Sequence, residues 1–177
     1  MRATGIVRRI DELGRVVIPK EIRRTQRIHS GDALEIFTDG KGEVVFKKYS
    51  PLAELGEPAA AYADVLARRL GCGVAVCDRE KIVAAAGAGR SELLGDPRPP
   101  ELDALLARRK LYTAPEEPLH RVALGSRWLL CAAPVLVHGD IEGGVLLPGM
   151  RRDAVPDPET IRAAATAAEF LARWMGE

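Results

Sequence analysis

Over the first fifty residues, apolar and polar positions alternate with the period of strands, interrupted by one short helical stretch. Thr4 to Ile10 reads as a strand, and Asp11-Glu12-Leu13-Gly14 as a turn whose glycine can take positive φ. Arg15 to Ile18 reads as a second strand. Pro19 ends it and suits the first turn of a helix over Lys20 to Arg27, where its missing N–H has no partner to lose. After a turn at Ser30-Gly31-Asp32, strands at Leu34 to Thr38 and Glu43 to Lys48 flank the hairpin turn Asp39-Gly40-Lys41-Gly42.

Beyond a short connector the period changes. Tyr62, Leu66 and Leu70 recur at helical spacing from Pro58 onward with Val65 beside them, and Gly71 closes the helix. Strands are expected at Val74 to Asp78 and Ile82 to Ala86, around the charged turn Arg79-Glu80-Lys81. Residues 87–100 read as loop with one helical turn near Ser91 to Leu94, and Glu101 to Lys110 as a helix. Strands follow at Leu119 to Leu124, Trp128 to Val137 and Ile141 to Leu147. Asp157 as N-cap, Pro158 at the first position and Glu159 near the positive dipole end announce a last helix. Ile161, Ala165, Ala168, Ala172 and Met175 line one of its faces. Its alanines allow close approach to a neighbour, while the alanine richness of the whole chain reads as compositional bias. The expected architecture is α+β in two domains: a small, mainly-β head over 1–50, a linker over 51–58, and a domain over 59–177 built on an antiparallel sheet.

A head of this size is marginal by itself, since about fifty residues bury only about 60% of their unfolded surface. It contains no cysteine and no metal cluster to staple it. Oligomerisation is the remedy that fits best, with strands of two chains sharing one core. Composition is that of a globular protein, 47% hydrophobic and 29% charged. The net charge of +1 conceals an asymmetry: residues 1–50 hold 11 basic and 7 acidic side chains, the remainder 15 and 18. A basic head on a mildly acidic body suggests a polyanion as partner of the head alone. The apolar run Trp128 to Val137 is too short to span a bilayer, so no membrane partner is expected. No secretory signal opens the chain, and three sparse cysteines (Cys72, Cys77, Cys131) fit a reducing compartment. The expected location is cytoplasmic.

The run from Thr4-Gly5-Ile6-Val7 through Asp11-Glu12-Leu13-Gly14-Arg15-Val16-Val17-Ile18-Pro19 to Arg23-Arg24, continued by Gly31-Asp32-Ala33-Leu34-Glu35-Ile36 and Lys47-Lys48-Tyr49, closely resembles the AbrB-type swapped-hairpin DNA-binding family. The resemblance implies a head of interleaved hairpins in a dimer, with double-stranded DNA as partner. It implies that Arg8, Arg15, Arg23 and Arg24 form the DNA surface, with Arg9 and Lys20 nearby. The chemistry suits that role, because a guanidinium is always charged and its fork can grip phosphate oxygens or a guanine edge. Arg9 and Arg27 have an alternative in pairing with Asp11 or Glu12 and Glu21. Gln26 stands where an apolar residue is more usual in that family. Ser50 to Gly56, Tyr62-Ala63-Asp64, Cys77-Asp78-Arg79 and Ala168 to Arg173 resemble a family of two-domain sporulation regulators whose second domain is a GAF-like sensor. That resemblance implies control of sporulation genes, a homodimer or homotetramer, and a small molecule on the body whose identity is unknown.

No catalytic constellation is expected. His29, His120 and His138 are scattered without metal-ligand spacing, Ser126 has no evident base, and no cofactor motif occurs. Gly87-Ala88-Gly89-Arg90-Ser91 lacks a full phosphate-loop pattern and reads as a flexible loop. Gly143-Gly144 and Gly139 mark a hairpin turn or close strand packing. The rival reading is an antitoxin-like protein-binding module with a DNA-binding head. Residues 56–177 disfavour it, since they have a full domain's apolar periodicity.

Overall fold

Contacts divide the chain into two units, Met1–Tyr49 and Ser50–Glu177. The computed structural model describes residues 4–50, 52, 56–114, 122–152 and 154–176.

In the first unit, helix α1 spans Lys20–Thr25, and strands β1 (Leu34–Thr38) and β2 (Val44–Lys48) pair antiparallel with Ile36 opposite Phe46. The Asp39 carboxylate closes the hairpin by accepting the Lys41 and Glu43 N–H groups at 3.1 and 2.7 Å. Two expectations need correction. The helix stops at Thr25, because Arg27 already sits at φ 52, outside the helical region. The strands expected at Thr4 to Ile10 and Arg15 to Ile18 do not form within the chain. Only the turn between them closes, with Asp11 N donating to Arg15 O and Gly14 N to Asp11 O, both at 3.0 Å, and Gly14 at φ 74. The alternating pattern is present but a strand exists only as one side of a ladder. Among the described residues nothing pairs with it, and Ile6, Val7, Ile10, Leu13, Val16 and Val17 are all exposed, Val7 by 83%. No residue from Thr4 to Tyr49 is buried.

The second unit has the opposite character. Its elements are α2 (Gly56–Leu70), β3 (Val74–Cys77), β4 (Ile82–Ala86), α3 (Arg90–Leu93), α4 (Pro100–Leu106), β5 (Tyr112–Thr113), β6 (Ala123–Leu124), β7 (Arg127–Val137), β8 (Asp140–Gly149) and α5 (Pro158–Gly176). The sheet runs in the order β4-β3-β8-β7-β5, every pairing antiparallel, with β6 also on β7. Alternate residues of each strand face two cores. Val74, Val76, Cys131, Ala133 and Val135 pack under α2 and α5, while Ala75, Cys77, Leu129 and Ala132 pack under α3 and α4. The result is the expected α+β domain around an antiparallel sheet, with helices on both faces.

Both long helices bury alanine at the centre of their contact. In α2 the buried residues are Ala59, Ala63 and Ala67, with Tyr62 and Leu66 at the margin and Val65 exposed. In α5 they are Ala164, Ala167, Ala168 and Leu171, flanked by Ile161, Ala172 and Met175. The close approach expected of the alanines in the last helix is realised, and the alanines of α2, attributed to compositional bias, serve the same packing, because a methyl group lets a helix lie close to the sheet. Helix α4 ends at Leu106, short of the expected Lys110, and β5 at Tyr112–Thr113 was not anticipated, since two residues show no period. Of the strand expected over Leu119 to Leu124, residues 119–121 lie outside the described residues and Ala123–Leu124 forms β6. Gly143 and Gly144 lie within β8 and serve close packing: a Cβ at Gly143 would overlap the Cys77 carbonyl oxygen and stand 2.5 Å from Leu52 Cδ1. Leu52 is fully buried there, and the Ser50 hydroxyl donates to Asp78 Oδ2 at 3.1 Å, so the chain is moored to the second unit from its first residues.

Candidate nucleic-acid interface

The six candidate cations of the head lie at three stations, all of them exposed. Lys20, Arg23 and Arg24 belong to α1, where spacings of three and four residues bring Lys20 beside both arginines on the helix surface. The helix is held by the Arg23 N–H donating to Pro19 O at 2.9 Å and by Ile28 N donating to Arg23 O at 2.7 Å. Arg8 and Arg9 lie on the unpaired arm, Arg8 donating from Nη1 to Val7 O at 2.9 Å. Arg15 stands at the foot of the turn, its Nε 2.8 Å from Asp11 Oδ2.

Among the described residues, no carboxylate pairs with Arg8, Arg9, Lys20, Arg23 or Arg24. The lysines of β2 are placed differently. Lys47 lies 4.5 Å above the Phe37 ring, while Lys48 pairs with Asp32 at 3.8 Å and bonds to the Arg27 carbonyl. The head thus engages its lysines on β2 within the fold and leaves Arg8, Arg9, Lys20, Arg23 and Arg24 exposed. The pairing suggested for Arg9 with Asp11 is corrected: Asp11 takes Arg15, four residues away across the turn. Backbone and side-chain hydrogen bonds from Arg15 hold the Asp11 carboxyl below the ordinary carboxylate range.

In the body, the Gly87 to Ser91 loop is occupied from within. A Cβ at Gly89, φ 94, would overlap Arg127 Nε and come within 2.6 Å of its Cδ. The buried Arg127 guanidinium therefore lies directly on this loop, donating from Nε to Glu92 Oε2 at 3.2 Å and from Nη2 to Glu92 Oε1 at 3.4 Å. Ser126 Oγ donates to Glu92 Oε2 at 2.6 Å; that bond, and then Arg127, lowers the Glu92 pKa. Thirty-five residues separate Arg127 from Glu92, so no spacing in the sequence signals the pair. Burial pushes the Cys77 and Cys131 thiols up to about 12 and raises Cys72 as well, which makes all three poor nucleophiles. Among the described residues no group of His, Cys, Asp or Glu could hold a metal ion, and His120 lies outside them.

Two features of the body surface remain. A groove between β7 and α5 is lined by Leu111, Ala133, Pro134, Leu136, Ala165 and Glu169. Tyr62 of α2 stacks on Phe170 of α5 at 4.9 Å between centroids, and Phe170 meets Trp174 edge-on at 5.4 Å. Phe170 and Trp174 are 40% and 50% exposed, a large apolar area to leave in water.

The family described as "Stage V sporulation protein T C-terminal, transcription factor" matches residues 54–176. Stage V sporulation protein T of Bacillus subtilis (strain 168) is 42% identical over 99% of both chains. The chain belongs to the stage V sporulation protein T family. Membership in this family of transcription factors accounts for the likeness of the body, and the head has relatives of its own. The transition state regulatory protein AbrB of B. subtilis is 59% identical over 51 residues, 29% of this chain and 52% of that one. Residues 7–53 also match the family described as "Antidote-toxin recognition MazE, bacterial antitoxin". The fold of the body is shared with type II free methionine-R-sulfoxide reductase from Thermoplasma acidophilum. That structure is 15% identical at a TM-score of 0.53, covering 70% of this chain and 94% of that one, a likeness of fold alone. No helix among the described residues is long and apolar enough to cross a membrane.

Proposed function

We propose that this member of the stage V sporulation protein T family is a DNA-binding regulator of sporulation genes that works as a homo-oligomer in the cytoplasm. Its heads dock on double-stranded DNA through Arg8, Arg15, Arg23 and Arg24, with Arg9 and Lys20 beside them. The observation that carries this reading is the division of labour among the head's cations: those on β2 are engaged within the fold, whereas Arg8, Arg9, Lys20, Arg23 and Arg24 are exposed with no carboxylate partner among the described residues. A phosphate lattice is the acceptor that such a set fits, and each phosphate neutralised adds about 0.9 to the salt slope.

The heads act as interleaved pairs in this reading. The unpaired hairpin and its exposed apolar side chains support it, since burying each against a second chain contributes about 1.5–3 kcal/mol. Symmetry then doubles the cations and sets the register on DNA. The bodies associate through Tyr62, Phe170 and Trp174, giving a dimer or a tetramer. An unidentified small molecule in the groove along α5 is the signal, and it regulates by favouring one arrangement of the heads over another. The body is a sensor and not an enzyme.

Replacing Arg23 and Arg24 together by alanine tests the reading. DNA retention on a gel should fall at least tenfold in the double variant, with the oligomer unchanged by sedimentation. Undiminished retention would refute the arginine assignment. The match of residues 7–53 to an antitoxin family favours a second reading, a head that neutralises a protein partner. The body's membership in a family of transcription factors weighs against it.

A further inference from the structure

We propose that Asp11 is a positioning residue for DNA recognition: its carboxylate holds the Arg15 guanidinium side-on and so sharpens sequence discrimination. The inference rests on the DNA-contacting role proposed above for Arg15. One carboxylate does two things at this turn. Oδ1 accepts the backbone N–H groups of Leu13 at 3.0 Å and Arg15 at 2.8 Å, inside a ring closed by Asp11 N to Arg15 O and by Gly14 N to Asp11 O. The backbone thus fixes the carboxylate, and its second oxygen, Oδ2, takes Arg15 Nε at 2.8 Å.

A contact at Nε occupies one edge of the guanidinium. Among the described residues nothing else engages the group, so Nη1 and Nη2 remain for an acceptor outside the protein. Those two nitrogens form the fork that reads a guanine edge or grips a phosphate. The Arg15 side chain is 69% exposed and that of Asp11 43%, and ion pairs this open contribute little to stability. An acid beside a phosphate lattice also opposes docking through long-range charge. Its value in this position lies in preorganisation: an arginine already held loses less freedom when it meets a base edge, and it meets that edge in one orientation. Among the described residues, Glu12 and Glu21, the other acids of this part of the head, hold no arginine, so the pairing is particular to Asp11 there.

The test uses the full-length protein and the substitution Asp11→Asn, which keeps an oxygen for the two backbone N–H groups but removes the charge that holds Arg15. Binding is measured on the duplex that wild type enriches in an in-vitro selection and on a shuffled duplex of the same composition. The selected-to-shuffled affinity ratio should fall roughly tenfold, on the scale of one lost specific contact. Binding to shuffled DNA should hold or rise, and the Arg15 Nε–Hε resonance should shift toward that of a free side chain. Equal tightening on both duplexes would make Asp11 a repelling charge and overturn the proposal, as would an unmoved Arg15 resonance. Arg15→Ala, run in parallel, separates the two readings: if it leaves both affinities unchanged, the role of Arg15 in DNA binding has failed, whatever Asp11→Asn does. If Asp11→Asn still lowers the ratio when combined with Arg15→Ala, Asp11 acts through another group and the proposal falls. Should Asp11→Asn fail to fold, Asp11→Ser keeps a side-chain oxygen for the turn while removing the carboxylate that holds Arg15, and the same drop in ratio is expected; a preserved ratio overturns the proposal.

Discussion

The two units of this chain solve the problem of burial in opposite ways. In the second, the sheet is covered on both faces, and residues such as Val76, Cys77, Leu129 and Leu146 have no appreciable exposure. In the first, no residue from Thr4 to Tyr49 is buried, and the apolar side chains of the arm and of the β1–β2 hairpin face outward, Ile36 by 61% and Val44 by 56%. The difference teaches where each unit's stability comes from. The body contains its own core, whereas the head leaves its apolar side chains exposed, and in the reading proposed above a second chain covers them. The charge division follows the same line, with the basic excess on the unit whose apolar side chains stay exposed.

The largest expected effect is on concentration dependence. A fragment of residues 1–50 should lose its circular dichroism signal on dilution, with a midpoint that follows protein concentration, while a fragment of residues 50–177 should keep its signal on dilution even where its association is lost, because each copy buries its own core. A head that stays folded as a monomer at high dilution would break the contrast. Next in size are substitutions at the mooring of the chain to the body. Leu52→Ala should destabilise the body by about 2–5 kcal/mol, the range for opening a cavity at a fully buried leucine. Gly143→Ala should also be severe, because its Cβ would collide with the Cys77 carbonyl. Denaturant unfolding of each variant reads these losses; head dimerisation, measured by sedimentation, should be untouched.

The smallest effect concerns the last helix. Asp157 caps α5 by accepting the Glu159 and Thr160 N–H groups, each at 2.9 Å. The Thr160 hydroxyl, followed by its N–H, lowers the Asp157 pKa. A carboxyl depressed in the folded state stabilises above its unfolded pKa and loses that contribution as pH falls through the folded value. Asp157→Ala should therefore lower the melting temperature by a few degrees at neutral pH. The deficit should shrink as pH drops below the ordinary aspartate range, and a deficit independent of pH would mean the cap acts without its charge.

Much of this organisation was legible in the chain. The Asp157-Pro158-Glu159 start of α5, the β1–β2 hairpin around Asp39 to Gly42, and the pair β7 and β8 all rest on local signals, and each occurs where its residues indicate. The cationic stations were legible too, because Arg23-Arg24 and Arg8-Arg9 are neighbours in sequence. The Asp11–Arg15 pair was available from its spacing across a turn, yet Arg9 competed for the same acid on charge alone. The Glu92–Arg127 pair and the seating of Leu52 against Gly143 were not legible, since folding joins residues 35 and 91 positions apart.

What the sequence determined by itself was periodicity, turn chemistry and the location of charge, since each depends on neighbours within a few residues. It also encoded strands at Thr4 to Ile10 and Arg15 to Ile18 through their alternation. Only the tertiary structure decided that these find no ladder within one chain, because pairing is a property of two segments and cannot be read from one. It likewise decided that alanines form the contact face of α2, since a small side chain carries meaning only when something lies close against it.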